Sequence, residues 1–112
     1  MRRGDVYWVL LDPTRGSEQA GTRPAAVVSR DAINRASPVV VICPLTSAAN
    51  IAKLYPSDVC VKPPEGGLKV DSVVLTLQVR AIAKSRLSGR LGHFSSDTMD
   101  KIDEALRITL DL

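Results

Sequence analysis

Gly16-Ser17-Glu18-Gln19-Ala20-Gly21-Thr22-Arg23-Pro24 runs without a break into Ala25-Ala26-Val27-Val28-Ser29. Two glycines among small and polar residues make the first half a loop able to approach a ligand closely. Pro24 lacks a backbone N–H and suits the opening of a strand, and the apolar run behind it reads as that strand, from about residue 24 to 29. Arg23 therefore stands where a flexible loop meets a rigid element. A guanidinium rooted in this way suits an anion site, because the strand holds the group while the loop wraps the ligand.

On either side the pattern is mostly β. Val6-Tyr7-Trp8-Val9-Leu10-Leu11 is aromatic and β-branched and reads as a first strand, stopped at Asp12-Pro13-Thr14. Asp31 to Arg35 suggests a single helical turn. Pro38-Val39-Val40-Val41-Ile42-Cys43 is apolar without alternation, as in a strand covered on both faces, and Pro44-Leu45-Thr46-Ser47 is expected to end it. Residues 48–56 read as a mobile connection, and residues 58–62 as a half-buried strand. Pro63-Pro64-Glu65-Gly66-Gly67 is a turn cluster. Residues 72–75 and 79–82 make two more short strands, while Lys84 to Gly92 reads as a basic, glycine-containing connection.

The period then changes. Met99, Ile102, Leu106 and Leu110 recur at helical spacing, with Ser95 or Ser96 as N-cap and Asp97 complementing the dipole in the first turn. The acids of this segment fall mainly off the apolar stripe. The predicted fold is mainly β with a C-terminal α-helix, an SH3-like barrel of mostly antiparallel strands.

With 112 residues the chain is expected to be one domain, 1–112, with one core. No apolar run is long enough to span a bilayer, and the start does not resemble a signal peptide, so a cytoplasmic location is expected. Charge is uneven. Residues 1–94 hold 13 bases and 7 acids, a balance of +6, whereas residues 95–112 hold 2 bases and 5 acids, a balance of −3. A basic body with an acidic tail fits a polyanionic partner. Cys43 and Cys60 match no metal or redox spacing and are expected to be free and buried. No metal and no cofactor are expected.

Four groups could carry chemistry. Arg23 can fork onto a phosphate, or its stem can simply cover apolar surface. Thr46 and Ser47 can donate to phosphate oxygens, or merely terminate a strand. Gln78 lies in an apolar run and is either satisfied internally or presented to a ligand edge. Ser17, Glu18 and Gln19 are suited to reading base edges. His93, beside Phe94 at the foot of the final helix, fits capping or packing better than catalysis. Tyr7 and Trp8 lie in an apolar strand, so an aromatic stacking platform is poorly supported.

In combination these segments are more specific. Arg3-Gly4-Asp5-Val6-Tyr7-Trp8, the 16–24 loop, Pro44-Leu45-Thr46-Ser47, Gly66-Gly67-Leu68, Asp71-Ser72-Val73-Val74-Leu75, Gln78-Val79-Arg80 and Asp100 to Arg107 together resemble the MazF/PemK family of toxin endoribonucleases. The resemblance spans nearly the whole chain in one order. It implies an SH3-like barrel that works as a homodimer, with single-stranded RNA along a groove at the dimer interface. It also implies cleavage at short specific sequences without metal or ribosome, and neutralisation by a cognate antitoxin. Operator DNA would be reached only through the antitoxin complex. Matched residue by residue, Arg23 and Thr46 are the catalytic pair, and Ser17, Glu18, Gln19 and Gln78 contact RNA, with Ser47 beside them. Leu77 stands where the family usually has an acid, which bears on base preference. A gyrase poison of the CcdB type, sharing the fold, would need no phosphate clamp, and a peptide-binding SH3 module would need more aromatics than four.

Overall fold

The computed structural model describes residues 1–12 and 14–112; Pro13, expected to stop the first strand, lies outside them. The strands are β1 (Asp5–Leu10), β2 (Thr22–Val27), β3 (Val39–Ser47), β4 (Asp58–Val61), β5 (Ser72–Leu75), β6 (Arg80–Ala83) and β7 (Leu87–His93), with helices α1 (Asp31–Ala36) and α2 (Ser96–Leu110). Single 3₁₀ turns occupy Ala48–Asn50, Glu65–Gly67, Thr76–Gln78 and Lys84–Arg86. Every strand pair is antiparallel. The order β4-β5-β3-β2-β1-β7, with β6 also on β3, curls into an open barrel whose ends are β4 and β7. This is the predicted architecture.

Long β3 is the pivot. One of its edges pairs with β2, while the other pairs first with β6 (Val39 to Ile42) and then with β5 (Leu45 to Ser47). Pro44 was expected to end this strand and instead lies inside it. It falls between the stretches served by β6 and β5, where a missing N–H costs the ladder least. Thr46 and Ser47 are therefore strand residues. The first half of β3 also departs from expectation: Val39 is exposed and Val40 buried, and only from Ile42 to Thr46 is the strand continuously covered.

The connection expected at 84–92 is largely β7, hydrogen-bonded to β1. Arg86, Ser88, Gly89, Arg90 and Gly92 hide it, since they give no apolar period. Gly92 has a packing reason to lack a side chain. A Cβ there would lie 2.5 Å from the Gly66 carbonyl carbon and 2.6 Å from the Gly67 nitrogen. Backbone thus meets backbone, and the 65–70 segment is clamped against β7. Gly92→Ala is expected to destabilise the fold by about 3 kcal/mol, the upper end for overpacking. The check is the urea midpoint at unchanged m-value.

Apolar side chains gather in two clusters on the two faces of the sheet, where one core was expected. The larger combines Val6, Ala26, Leu45, Val74 and Phe94 with Met99, Ile102 and Ala105 of α2. The smaller contains Val9, Ala25, Val27, Val40, Ile42 and Ile82. Helix α2 starts as expected, the Ser95 hydroxyl accepting from the Thr98 amide (3.2 Å). Its stripe ends early. Leu106 is half-buried and Leu110 exposed, because the last turns run past the core and meet the 76–78 turn through Thr109 and Thr76 (2.9 Å between hydroxyl oxygens). Cys43 and Cys60 are free thiols. Cys43 is buried, which pushes its thiol up to about 12. Cys60 is exposed, contrary to expectation, because it points to the outer face of β4 between inward Val59 and Val61.

Candidate active site

The 11–21 loop is tied at its base and along its length. The Leu11 amide donates to the Gly21 carbonyl (3.0 Å) and the Gly21 amide to Asp12 Oδ1 (3.1 Å). Gly16 and Gly21 both take positive φ (59° and 72°), which glycine accepts without strain. Glu18 Oε1 accepts from the Arg15 amide (2.8 Å). Gln78 is the main clasp: its Oε1 accepts from the Gln19 amide (2.7 Å) and its Nε2 donates to the Ser17 carbonyl (3.4 Å). The amide thus holds the loop against the 76–78 turn, while Oε1 and Nε2 each keep a second hydrogen-bonding position.

Arg23 is the second residue of β2, opposite Val9. Its Nε donates to the Ala20 carbonyl (3.2 Å), and it enters none of the ion pairs among the described residues. The β2–β3 register sets Ala25 against Pro44. The paired stretch ends there; Arg23 and Thr46 each lie two residues beyond it and line the same cleft, so the loop–strand junction and the strand end converge.

Thr46 is 4% exposed. Its Oγ1 accepts from Asn50 Nδ2 (3.0 Å). A hydroxyl that accepts here keeps its own hydrogen for another partner. Asn50 is a site residue that the sequence reading missed; its signal is an amide four residues after Thr46, within reach once a turn forms. Ser47 caps that same turn, its Oγ accepting from the Ala49 amide (3.3 Å).

Arg23, Thr46 and Ser47 line one cleft of about 440 Å³, together with Trp8, Leu68 and Lys69. No Asp or Glu lines it. Glu18, Gln19 and Gln78 line a second hollow of about 370 Å³ with Leu77 and Arg80. Ser17 lines neither and is joined to this group through its carbonyl. The seven predicted site residues therefore divide between a cleft with Arg23, Thr46 and Ser47 and a loop-side hollow with the rest. Leu77, at the departing position, is 72% exposed at the rim of the second.

His93 is outside both. Its Nδ1 lies 2.7 Å from Asp5 Oδ1, and Arg90 Nη2 donates to the same oxygen (3.2 Å). Burial alone would raise the Asp5 carboxyl, but the Arg2 amide, His93 and Arg90 outweigh it and hold the group below its ordinary 3.8. His93 packs and pairs, as expected. Glu65 is likewise held below its ordinary 4.5: burial opposes the shift, and hydrogen bonds from Thr98 and Ser95 overcome it. Carboxyls depressed in the folded state bind protons more readily when unfolded. Their stabilisation is full above about pH 5 and is lost as pH falls through the folded values. Melting temperature is expected to be level from pH 7 to 5 and to fall below pH 4, with a smaller fall in Asp5→Asn. Among the described residues no three His, Cys, Asp or Glu side chains are placed to hold a metal ion, and no helix is long and apolar enough to cross a membrane.

Comparison with known proteins adds the family. The chain is 43% identical to endoribonuclease EndoA of Bacillus subtilis (strain 168), over all of this chain and 96% of that protein. Its structure resembles MazF of Deinococcus radiodurans (TM-score 0.84, 31% identity, 100% of this chain and 97% of that one). It also resembles a mycobacterial endoribonuclease solved with its cognate antitoxin (TM-score 0.82, 29% identity, 100% and 96%). The profile of the PemK-like, MazF-like toxins of type II toxin–antitoxin systems matches residues 2–110, and the chain belongs to that family.

Proposed function

We propose that this toxin is a sequence-specific endoribonuclease that cuts single-stranded RNA without a metal ion and without the ribosome. The observation that carries the reading is the cleft in which Arg23 and Thr46 meet with Lys69 and no carboxylate. Such a lining suits a phosphodiester and repels nothing on it. Membership of the family and likeness to proteins named endoribonucleases support the same activity.

RNA supplies its own nucleophile. The 2′-hydroxyl loses its proton to water as its oxygen attacks the adjacent phosphorus. The bond to the 5′-oxygen breaks and that oxygen takes up a proton. The products are a 2′,3′-cyclic phosphate (or the 3′-phosphate once water opens it) and a 5′-hydroxyl. The protein has to align the 2′-oxygen with the leaving oxygen and stabilise charge on the non-bridging oxygens. The Arg23 guanidinium carries N–H donors and no acceptor, so it serves as phosphate clamp and hydrogen-bond donor to the leaving oxygen and not as the base. Thr46 donates a second hydrogen bond, with Asn50 holding its oxygen from behind. The loop residues Ser17, Glu18 and Gln19, with Gln78, contact the RNA and set base preference.

The toxin acts as a cytoplasmic homodimer and is neutralised by a cognate antitoxin that covers the basic cleft. The mycobacterial relative solved with its own antitoxin supports that pairing. Operator DNA is reached only through the antitoxin complex. The test is incubation of a long, mixed-sequence, single-stranded RNA with the folded protein in EDTA. Discrete cuts bearing 5′-hydroxyl ends support the reading; intact RNA overturns it.

A further inference from the structure

Trp8 is not the core residue that its apolar strand suggests. It is 39% exposed, while Val6 and Val9 on the same strand are fully buried. The reason is local: β1 pairs with β7 through register shifts on both sides of Tyr7, ending at Val9. Such irregularities break the in-out alternation and re-aim a side chain. Trp8 lies directly opposite Pro24, the neighbour of Arg23, and lines the same cleft as Arg23 and Thr46. Gly89 leaves room at the indole edge, since even an added Cβ would stand 3.9 Å from Trp8 Cδ1.

The rest of the cleft has matching chemistry. Leu68, Leu91 and the exposed Val70 make an apolar wall, and Lys69 adds a second cation to Arg23. The 65–70 segment that carries this wall is held by the backbone contact of Gly66 and Gly67 with Gly92. An apolar wall with an indole, beside two cations and no acid, fits a nucleobase attached to a phosphodiester. It suits an acidic partner less well, since that would leave the aromatic face unused.

We propose that Trp8 is the stacking platform for one base of the bound RNA, next to the phosphate held by Arg23 and Thr46. This rests on the nuclease reading above. It assigns the cleft a base subsite whose selectivity comes from the face of the base, with sequence reading left to the 16–22 loop.

Trp8 is the sole tryptophan of the chain, so its emission reports the subsite directly. The experiment titrates the intact protein with a fluorescently labelled, 2′-O-methylated, mixed-sequence oligonucleotide that cannot be cleaved. Anisotropy of the label reports binding, tryptophan emission reports stacking, and inorganic polyphosphate serves as a polyanion without bases. The expected result is quenching of Trp8 that follows the anisotropy curve and is absent with polyphosphate. Trp8→Leu should raise KM for RNA cleavage about tenfold or more with little change in kcat, and Trp8→Phe should recover most of that loss. Binding and cleavage without quenching, or equal quenching by polyphosphate, overturns the stacking role and leaves the nuclease reading intact. Neither binding nor cleavage by folded protein overturns both.

Discussion

Arg23→Ala is expected to lower the rate of RNA cleavage by about 10³-fold or more, the range for removing a cationic donor from a phosphoryl transition state. The fold should persist. Among the described residues the Arg23 side chain makes one hydrogen bond, Nε to the Ala20 carbonyl at 3.2 Å, and that bond is exposed. Its loss costs on the order of 1 kcal/mol at most, a shift of a few degrees in melting temperature. The informative comparison is therefore cleavage rate against thermal midpoint in the same preparation. A large loss of rate at a nearly unchanged midpoint assigns Arg23 to the chemistry.

Thr46→Val should follow with a loss of about 10²-fold, since it removes one neutral donor and keeps the side-chain shape. The structure makes this a clean test. Thr46 is buried at the end of β3, and valine fills the same volume on a strand that favours β-branched residues. The partner left behind, Asn50, is exposed and can turn its amide to water. No buried polar group is orphaned, so stability should change by less than about 1 kcal/mol. Thr46→Ser, which keeps the hydroxyl, is expected to retain most of the activity. Rates under single-turnover conditions decide between chemistry and binding.

How far the sequence discloses the molecule depends on whether a residue's role is local. The loop–strand junction at Arg23 is legible because proline and glycine act on their own backbone, and α2 is legible because Met99, Ile102 and the Ser95 cap are spaced by the helix itself. Strand β7 is not. It exists because β1 offers an open edge and because Gly92 lets two backbones touch, and neither fact leaves an apolar period. Pro44 misleads for a related reason: its tolerance depends on which partner strands lie beside it. The site divides in the same way. Arg23 and Thr46 can be singled out as candidate residues, but that they line one cleft depends on how β2 and β3 pair. Asn50 behind Thr46, Trp8 in the cleft wall and the Gln78 clasp on the loop depend on a turn, a strand irregularity and a long-range contact that no local pattern announces.

The central claim is that Arg23 and Thr46 act on one phosphate in one cleft. The most direct measurement is a double-mutant cycle on the single-turnover cleavage rate at one mapped RNA site, using wild type, Arg23→Ala, Thr46→Val and the double variant. Groups serving the same transition state are strongly non-additive. The double variant should therefore be slower than Arg23→Ala by less than about tenfold, even though Thr46→Val alone costs about 10²-fold. Full multiplication of the two losses would place the residues at independent steps, and a folded Arg23→Ala that cuts at the wild-type rate would contradict the account altogether.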